Sequence, residues 1–139
     1  MVERKYVDVN VFVYWLGGHP TLGRRSKDWI KRVEGGIDGE FITSSLTLYE
    51  TLAILAGLTG QSLKQQSFVR SVVGTITSLP GLKIIPLEVQ DLTLALTYMH
   101  DYKLDYEDSL HLATALRVGA RKIISNDSDF DRTPLERVF

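Results

Sequence analysis

The chain has 139 residues, of which 44% are hydrophobic and 24% charged, with a formal net charge of −1. That length and balance suit a single folded domain spanning residues 1–139 and exclude an intrinsically disordered chain. The lack of cysteine excludes disulfides, thiolate metal centres and a cysteine nucleophile, and no stretch reaches the ~18–20 apolar residues of a membrane span. Asp8 and Asn10 interrupt the apolar N-terminal stretch and no small-residue cleavage site follows, so no secretory leader is read and a cytoplasmic location is expected.

KYVDV, residues 5–9, is β-branched and aromatic and predicts a short buried strand. NVFVYWL follows at once and predicts a helix capped near Asn10. GGHPTLG is a loop, and residues 22–35 predict a polar, basic helix. EFITS predicts a second strand, residues 46–58 a buried helix, and residues 61–79 a helix ended by Pro80 and Gly81. KIIPL predicts a third strand, followed by a helix over 88–102. Asp105 starts another helix that runs to about Val118, with Gly119 as its stop and a fourth strand in GARKIISND. Short apolar strands alternating with helices predict an α/β fold, a small and mostly parallel sheet of about four strands flanked by helices.

Several acids sit where such a pattern does not want them. Asp8 lies among Tyr6, Val7, Val9 and Val11. An unpaired buried carboxylate costs several kcal/mol, so it needs a cation, hydrogen bonds or a proton. Glu50 is the only Asp, Glu, Lys, Arg or His from Phe41 to Leu63, and no basic residue lies three or four positions away. Either its helix buries it or it sits on a narrow exposed stripe beside Thr47 and Thr51. Asp105, Glu107 and Asp108 open a helix, where acids favour the dipole and Asp105 suits an N-cap. Asp108 is compatible with either a structural role or a site. Of the loop acids Asp127, Asp129 and Asp131, Asp127 stands nearest a strand end.

Asp8, Glu50, Asp108 and Asp127 have no common spacing. A parallel sheet would nonetheless bring each to one end, and sites in such sheets form at the carboxyl ends of the strands. Carboxylates gathered there raise one another's pKa values, a conflict that a hard divalent cation such as Mg²⁺ or Mn²⁺ removes. One or two such ions can drive phosphodiester hydrolysis without a protein nucleophile.

Three motifs, YVDVNVFVYWL, ITSSLTLYETLAIL and YEDSLHLATALRVGARKIISNDSDF, occur in the order found in PIN domains. The chain resembles that family over nearly its whole length, and most closely the small prokaryotic VapC-type toxins. The resemblance implies a metal-dependent endoribonuclease with Asp8, Glu50, Asp108 and Asp127 as the acidic residues around Mg²⁺ or Mn²⁺. It places Asn10 as an ordering residue, Ser44 or Ser45 and Asn126 as supporting polar groups, and Asp129 as a secondary acid. It further implies RNA as substrate, a homodimer, and a VapB-type antitoxin that puts a charged side chain into the acidic pocket. A PIN nuclease for RNA processing or structured DNA, and a non-catalytic RNA- or protein-binding PIN module, are the alternatives.

Setting the four acids aside leaves 13 acidic against 16 basic residues. RRSKDWIKR, residues 24–32, concentrates five of the basic ones around Trp29. Arg24 and Arg25 are candidate RNA contacts, while Trp29 suits either stacking or the core. His111, three after Asp108, reads as a packing or supporting group. Asn10 stands where a haloacid-dehalogenase phosphatase needs a second Asp. Lys122 is at the wrong strand end for a receiver domain, and no glycine-rich turn follows the first strand as a dinucleotide fold requires.

Overall fold

Tyr6 and Val7 are both fully buried although they are neighbours on a three-residue strand. Successive strand residues point to opposite faces, so both faces of the sheet must be covered. The computed structural model, which describes residues 2–139, shows how. Strands β1 (Lys5–Val7), β2 (Phe41–Ser44), β3 (Leu82–Ile85), β4 (Lys122–Ile124) and β5 (Glu136–Val138) form one sheet in the order β3-β2-β1-β4-β5. Every pairing is parallel. Helices α1 (Val9–Leu16), α2 (Gly23–Glu34), α3 (Ser45–Thr59) and α4 (Gln66–Thr77) supply one core, where Val11, Phe12, Ile30, Val33, Leu55 and Ile76 pack on Val7, Phe41 and Ile124. On the other face α6 (Tyr106–Arg117) brings Leu112 and Ala115 onto Tyr6, Ile42 and Ile123, beneath α5 (Val89–Tyr102). A short 3₁₀ helix spans Ser128–Arg132.

The expected α/β fold is present, with a fifth strand. β5 is three residues at the sheet edge, and Glu136 and Arg137 give it no apolar alternation to read. The first helix is capped by Asp8 and not near Asn10. Asp8 is the last extended residue, and its Oδ1 accepts the Val9 N–H at 2.8 Å. Residues 61–65 stand outside the predicted 61–79 helix. Gln65 Oε1 accepts the Ser62 N–H at 2.6 Å and Ser62 Oγ that of Lys64 at 3.1 Å, a local turn that competes with helix. β3 stops at Ile85 because Pro86 has no N–H for the ladder.

α5 and α6 are joined by Asp91, which is fully buried. Arg117 donates to it through Nε at 2.9 Å and Nη2 at 3.0 Å, Thr114 Oγ1 donates at 3.1 Å, and the Glu88 N–H closes a capping box at 3.0 Å. Gly81 allows another close approach. A Cβ there would stand 2.1 Å from the Val33 carbonyl oxygen and 3.2 Å from Gly36 Cα, beside the bond from the Phe41 N–H to the Gly81 carbonyl. Gly81→Ala is therefore expected to destabilise the fold by about 3 kcal/mol, read from the midpoint of a urea melt; an unchanged midpoint would refute this packing argument.

Candidate active site

Because all five strands are parallel, their carboxyl ends share one side of the sheet. Asp8 follows β1 directly and Asp127 follows β4, while the first turns of α6 bring up Glu107, Asp108 and His111. These side chains, with Asn10, Tyr14 and the apolar Val9, Val13 and Ile54, line a cavity of 280 Å³.

Asp8 is held on all sides. Besides the Val9 N–H, its carboxylate accepts the Ser125 hydroxyl at 2.6 Å and Asn10 Nδ2 at 3.4 Å. Ser125 is fully buried and is the hub of this corner, its Oγ also accepting Asn10 Nδ2 at 3.2 Å and the Asp127 N–H at 3.0 Å. Burial pushes the Asp8 carboxyl up, against the pull of His111, Ser125 and the Val9 N–H. Burial and the charges of Asp105, Asp127 and Asp8 push Asp108 up to about 7. Oxygens of Asp108, Asp127 and Asp129 lie within 4.8 Å of one another. Two of the acids here cap helices: Asp127 accepts the Asp129 N–H at 2.9 Å, and Asp105 accepts that of Asp108 at 2.8 Å.

Glu50 lies one layer deeper and does not line the cavity. It is tied to it by His111, whose Nε2 is 2.5 Å from Glu50 Oε1 and whose Nδ1 is 2.6 Å from the Tyr6 hydroxyl. Glu50, Glu107 and His111 form a second group within 4.8 Å. Burial pushes Glu50 up, but hydrogen bonds from His111 and Glu107 outweigh it and hold the carboxyl below its ordinary value. Glu107 takes the opposite share, raised to about 7 by its hydrogen bond to Glu50, by burial and by the Glu50 charge. Burial pushes His111 down, yet Tyr6, Glu50 and Asp8 reverse this and hold it well above the usual histidine value.

The structure thus brings Asp8, Asp108, Asp127 and Asn10 together around one cavity, with Asp129 beside them and Glu50 behind. Asn126 stands on the rim, its N–H 3.4 Å from Asn10 Oδ1 and its Nδ2 3.5 Å from the Tyr14 hydroxyl. Ser45 is exposed and away from the cavity, accepting the Leu87 N–H at 3.0 Å, while Ser44 caps α3. Arg24 and Arg25 are on the exposed start of α2, outside the cavity lining, and Arg25 lies over the Phe139 ring at 5.5 Å. Trp29 packs against the core and donates its Nε1–H to the Phe139 carbonyl at 3.1 Å. Ser125 was not singled out from the sequence, and Glu107 was read only as an acid of a helix's first turn. Glu107 had a signal, since it stands four residues before His111 on one face of α6.

Four carboxylates, Asp8, Glu107, Asp108 and Asp127, line this cavity with His111, and no Lys or Arg does so among the described residues. All donors on the acidic side are hard oxygens, and crowding raises Asp108, so the donor set fits Mg²⁺ or Mn²⁺. Binding through Asp108 must then displace its proton. Mn²⁺ affinity is expected to rise on the order of tenfold per pH unit below about pH 7 for that proton. Calorimetry in two buffers of different ionisation enthalpy reads the proton release; identical heats would exclude it.

An acid-lined, cation-ready cavity at the carboxyl edge of a parallel sheet with helices on both faces defines an α/β domain with a candidate metal centre. The PIN domain profile matches residues 5–135, and the chain belongs to the PIN domain family. No curated protein matches it. Among solved structures, it is similar to the Mycobacterium tuberculosis toxin VapC20, described as cleaving the sarcin-ricin loop. The TM-score is 0.72 at 14% identity, over 91% of this chain and 92% of that one. It is also similar to a chain of VapBC2 from Rickettsia felis, solved on a promoter DNA fragment (TM-score 0.66, 20% identity, 99% and 98% covered). A chain of a toxin–antitoxin complex from Klebsiella pneumoniae gives 0.64 at 21% identity, with 95% and 98% covered. At these identities the likeness is one of fold.

Proposed function

We propose that the protein is a metal-dependent endoribonuclease that hydrolyses RNA phosphodiester bonds at the acidic cavity, and that it is the toxin of a VapBC-type pair in the cytoplasm. The convergence of Asp8, Asp108 and Asp127 on one cavity of a PIN domain carries this reading. In it, Asp8, Asp108 and Asp127 hold Mg²⁺ or Mn²⁺, with Asp129 and Glu50 supporting them. The bound ion supplies positive charge against the scissile phosphate and lowers the pKa of water. The chain does the rest. Ser125 and Asn10 fix the Asp8 carboxylate, and Glu107, titrating near neutrality, is a group that can take or give a proton at the cavity wall. Exposed Arg24 and Arg25 offer phosphate contacts to the strand.

The toxin assignment draws on structural neighbours that are toxins or toxin–antitoxin complexes. A cavity with three lining aspartates suits a cationic antitoxin side chain. Exposed Tyr49, Ile54 and Leu58 on α3 and Val89, Leu92 and Leu96 on α5 supply apolar surface for a homodimer. Described helices include none long and apolar enough to cross a membrane.

The test is cleavage of a labelled single-stranded RNA by the purified, partner-free protein in Mn²⁺, Mg²⁺ or EDTA. Cleavage with either ion and none in EDTA is the expected result. Cleavage that persists in EDTA would sink the metal reading, and a folded protein that cuts none of several RNAs would sink the ribonuclease.

A further inference from the structure

We infer that Tyr6 and His111 are positioning residues, a buried brace that fixes the Glu50 carboxylate behind the acidic cavity. The inference rests on the ribonuclease reading for its catalytic consequence and on geometry for the brace itself. Tyr6 comes from β1, His111 from α6 and Glu50 from α3, so the chain of contacts crosses the core and ties three elements together. Tyr6 and His111 are 0% and 1% exposed. Their rings meet edge-on with centroids 5.8 Å apart.

Both ring nitrogens of His111 are engaged, one with Tyr6 and one with Glu50. The imidazole therefore has no free nitrogen to offer a cation; it acts through Glu50. A long carboxylate side chain in a helix samples several rotamers when nothing holds it. The bond to Oε1 removes that freedom before any cation or substrate arrives. It also divides the carboxylate. Oε1 belongs to His111, while the buried Oε2 is left to the neighbouring Glu107 carboxyl, with no other partner among the described residues. Where Ile42, Leu112 and Ile123 pack around Tyr6, a Phe and a Leu would fill the places of Tyr6 and His111 without desolvating three polar groups. The arrangement makes sense as the fixing of one carboxylate, with Oε2 left to accept from what enters beside Glu107.

Four proteins decide it: parent, Tyr6→Phe, Glu50→Gln and the double variant, each checked for folding by circular dichroism. Calorimetric Mn²⁺ affinity is read alongside kcat and KM for RNA. Tyr6→Phe keeps the ring and removes only the hydroxyl. It is expected to lower Mn²⁺ affinity and kcat on the order of tenfold, the scale of groups that orient metal ligands, with KM for RNA unchanged. In the Glu50→Gln background the same change is expected to have no further effect, because the brace then has nothing to hold. An equal loss in both backgrounds, or no loss in either, overturns the inference. If Tyr6→Phe fails to fold, His111→Gln and His111→Leu replace it. Gln retains an N–H for Glu50 and is expected to keep more Mn²⁺ affinity than Leu, and equal losses overturn the brace. A parent that binds Mn²⁺ but cuts no RNA refutes the nuclease reading alone, and the Mn²⁺ titrations still judge the brace.

Discussion

Asp8→Asn is expected to lower RNA cleavage by about two to three orders of magnitude while leaving the metal-free protein as stable as the parent or more so. The first half follows from charge. Asn keeps the shape and the Val9 contact but removes the negative charge from the cavity, a loss comparable to deleting one preorganised electrostatic group. The second half follows from burial. Asp8 is 6% exposed, with its pKa raised chiefly by desolvation. A carboxyl whose folded pKa exceeds its unfolded value binds more protons in the native state, so its ionisation costs stability. That cost begins as pH rises through the ordinary value near 4 and is complete above the raised folded value. Asp108, raised to about 7, adds to it in the same direction. Metal-free melts of the parent should thus show stability lost between about pH 4 and pH 7, and Asp8→Asn should reduce that loss. A variant that loses cleavage because it has unfolded, or one that cuts RNA normally, would remove Asp8 from the centre.

An opposition between activity and stability at one residue is what made the site legible in sequence. Asp8 stands out because its neighbours are apolar, and Glu50 because its helix carries no other charge. Both are misplaced for folding. Asp108 and Asp127 are ordinary as helix and loop acids; only the parallel sheet, itself read from alternating strands and helices, puts them beside Asp8. Contacts that depend on rotamers were beyond such reading. His111 looked like packing, and only the three-dimensional structure shows it between Tyr6 and Glu50. Ser125 directly follows a buried strand and reads as its continuation, yet its hydroxyl joins Asp8, Asn10 and Asp127. Ser45 looked equal to Ser44, but the first turn of α3 points it at Leu87. β5 was lost because a three-residue edge strand with two charges has no pattern of its own.

Asp91 was equally invisible, a first-turn acid whose partner lies 26 positions on. It supports the second large expectation: Asp91→Ala should destabilise the fold by about 3 kcal/mol, because several donors lose their buried acceptor at once while the partly exposed Arg117 keeps Glu88 and the Pro86 carbonyl. The loss is steep because the carboxylate accepts Arg117, Thr114 and the Glu88 N–H together. The pH signature runs opposite to that of Asp8. Burial pushes the Asp91 carboxyl up, but Arg117 and the two other donors outweigh it and hold the carboxyl below its ordinary value. Its contribution is present above about pH 4 and is lost as pH falls through the lower folded value. The parent should therefore lose stability in acid by a step that Asp91→Ala lacks, as urea melts at pH 3 and pH 6 would show. Cleavage per folded molecule should not change. Arg117 lies nine residues beyond Asp108, ~13 Å along α6. Replacing both partners by apolar residues, as in Asp91→Leu with Arg117→Met, should recover part of the loss, because the apolar side chains refill the space that Asp91→Ala empties and no guanidinium is left short of its acceptor. If the double variant is no better than Asp91→Ala, the stability resides in the capping box and Thr114, and the ion pair has little net worth.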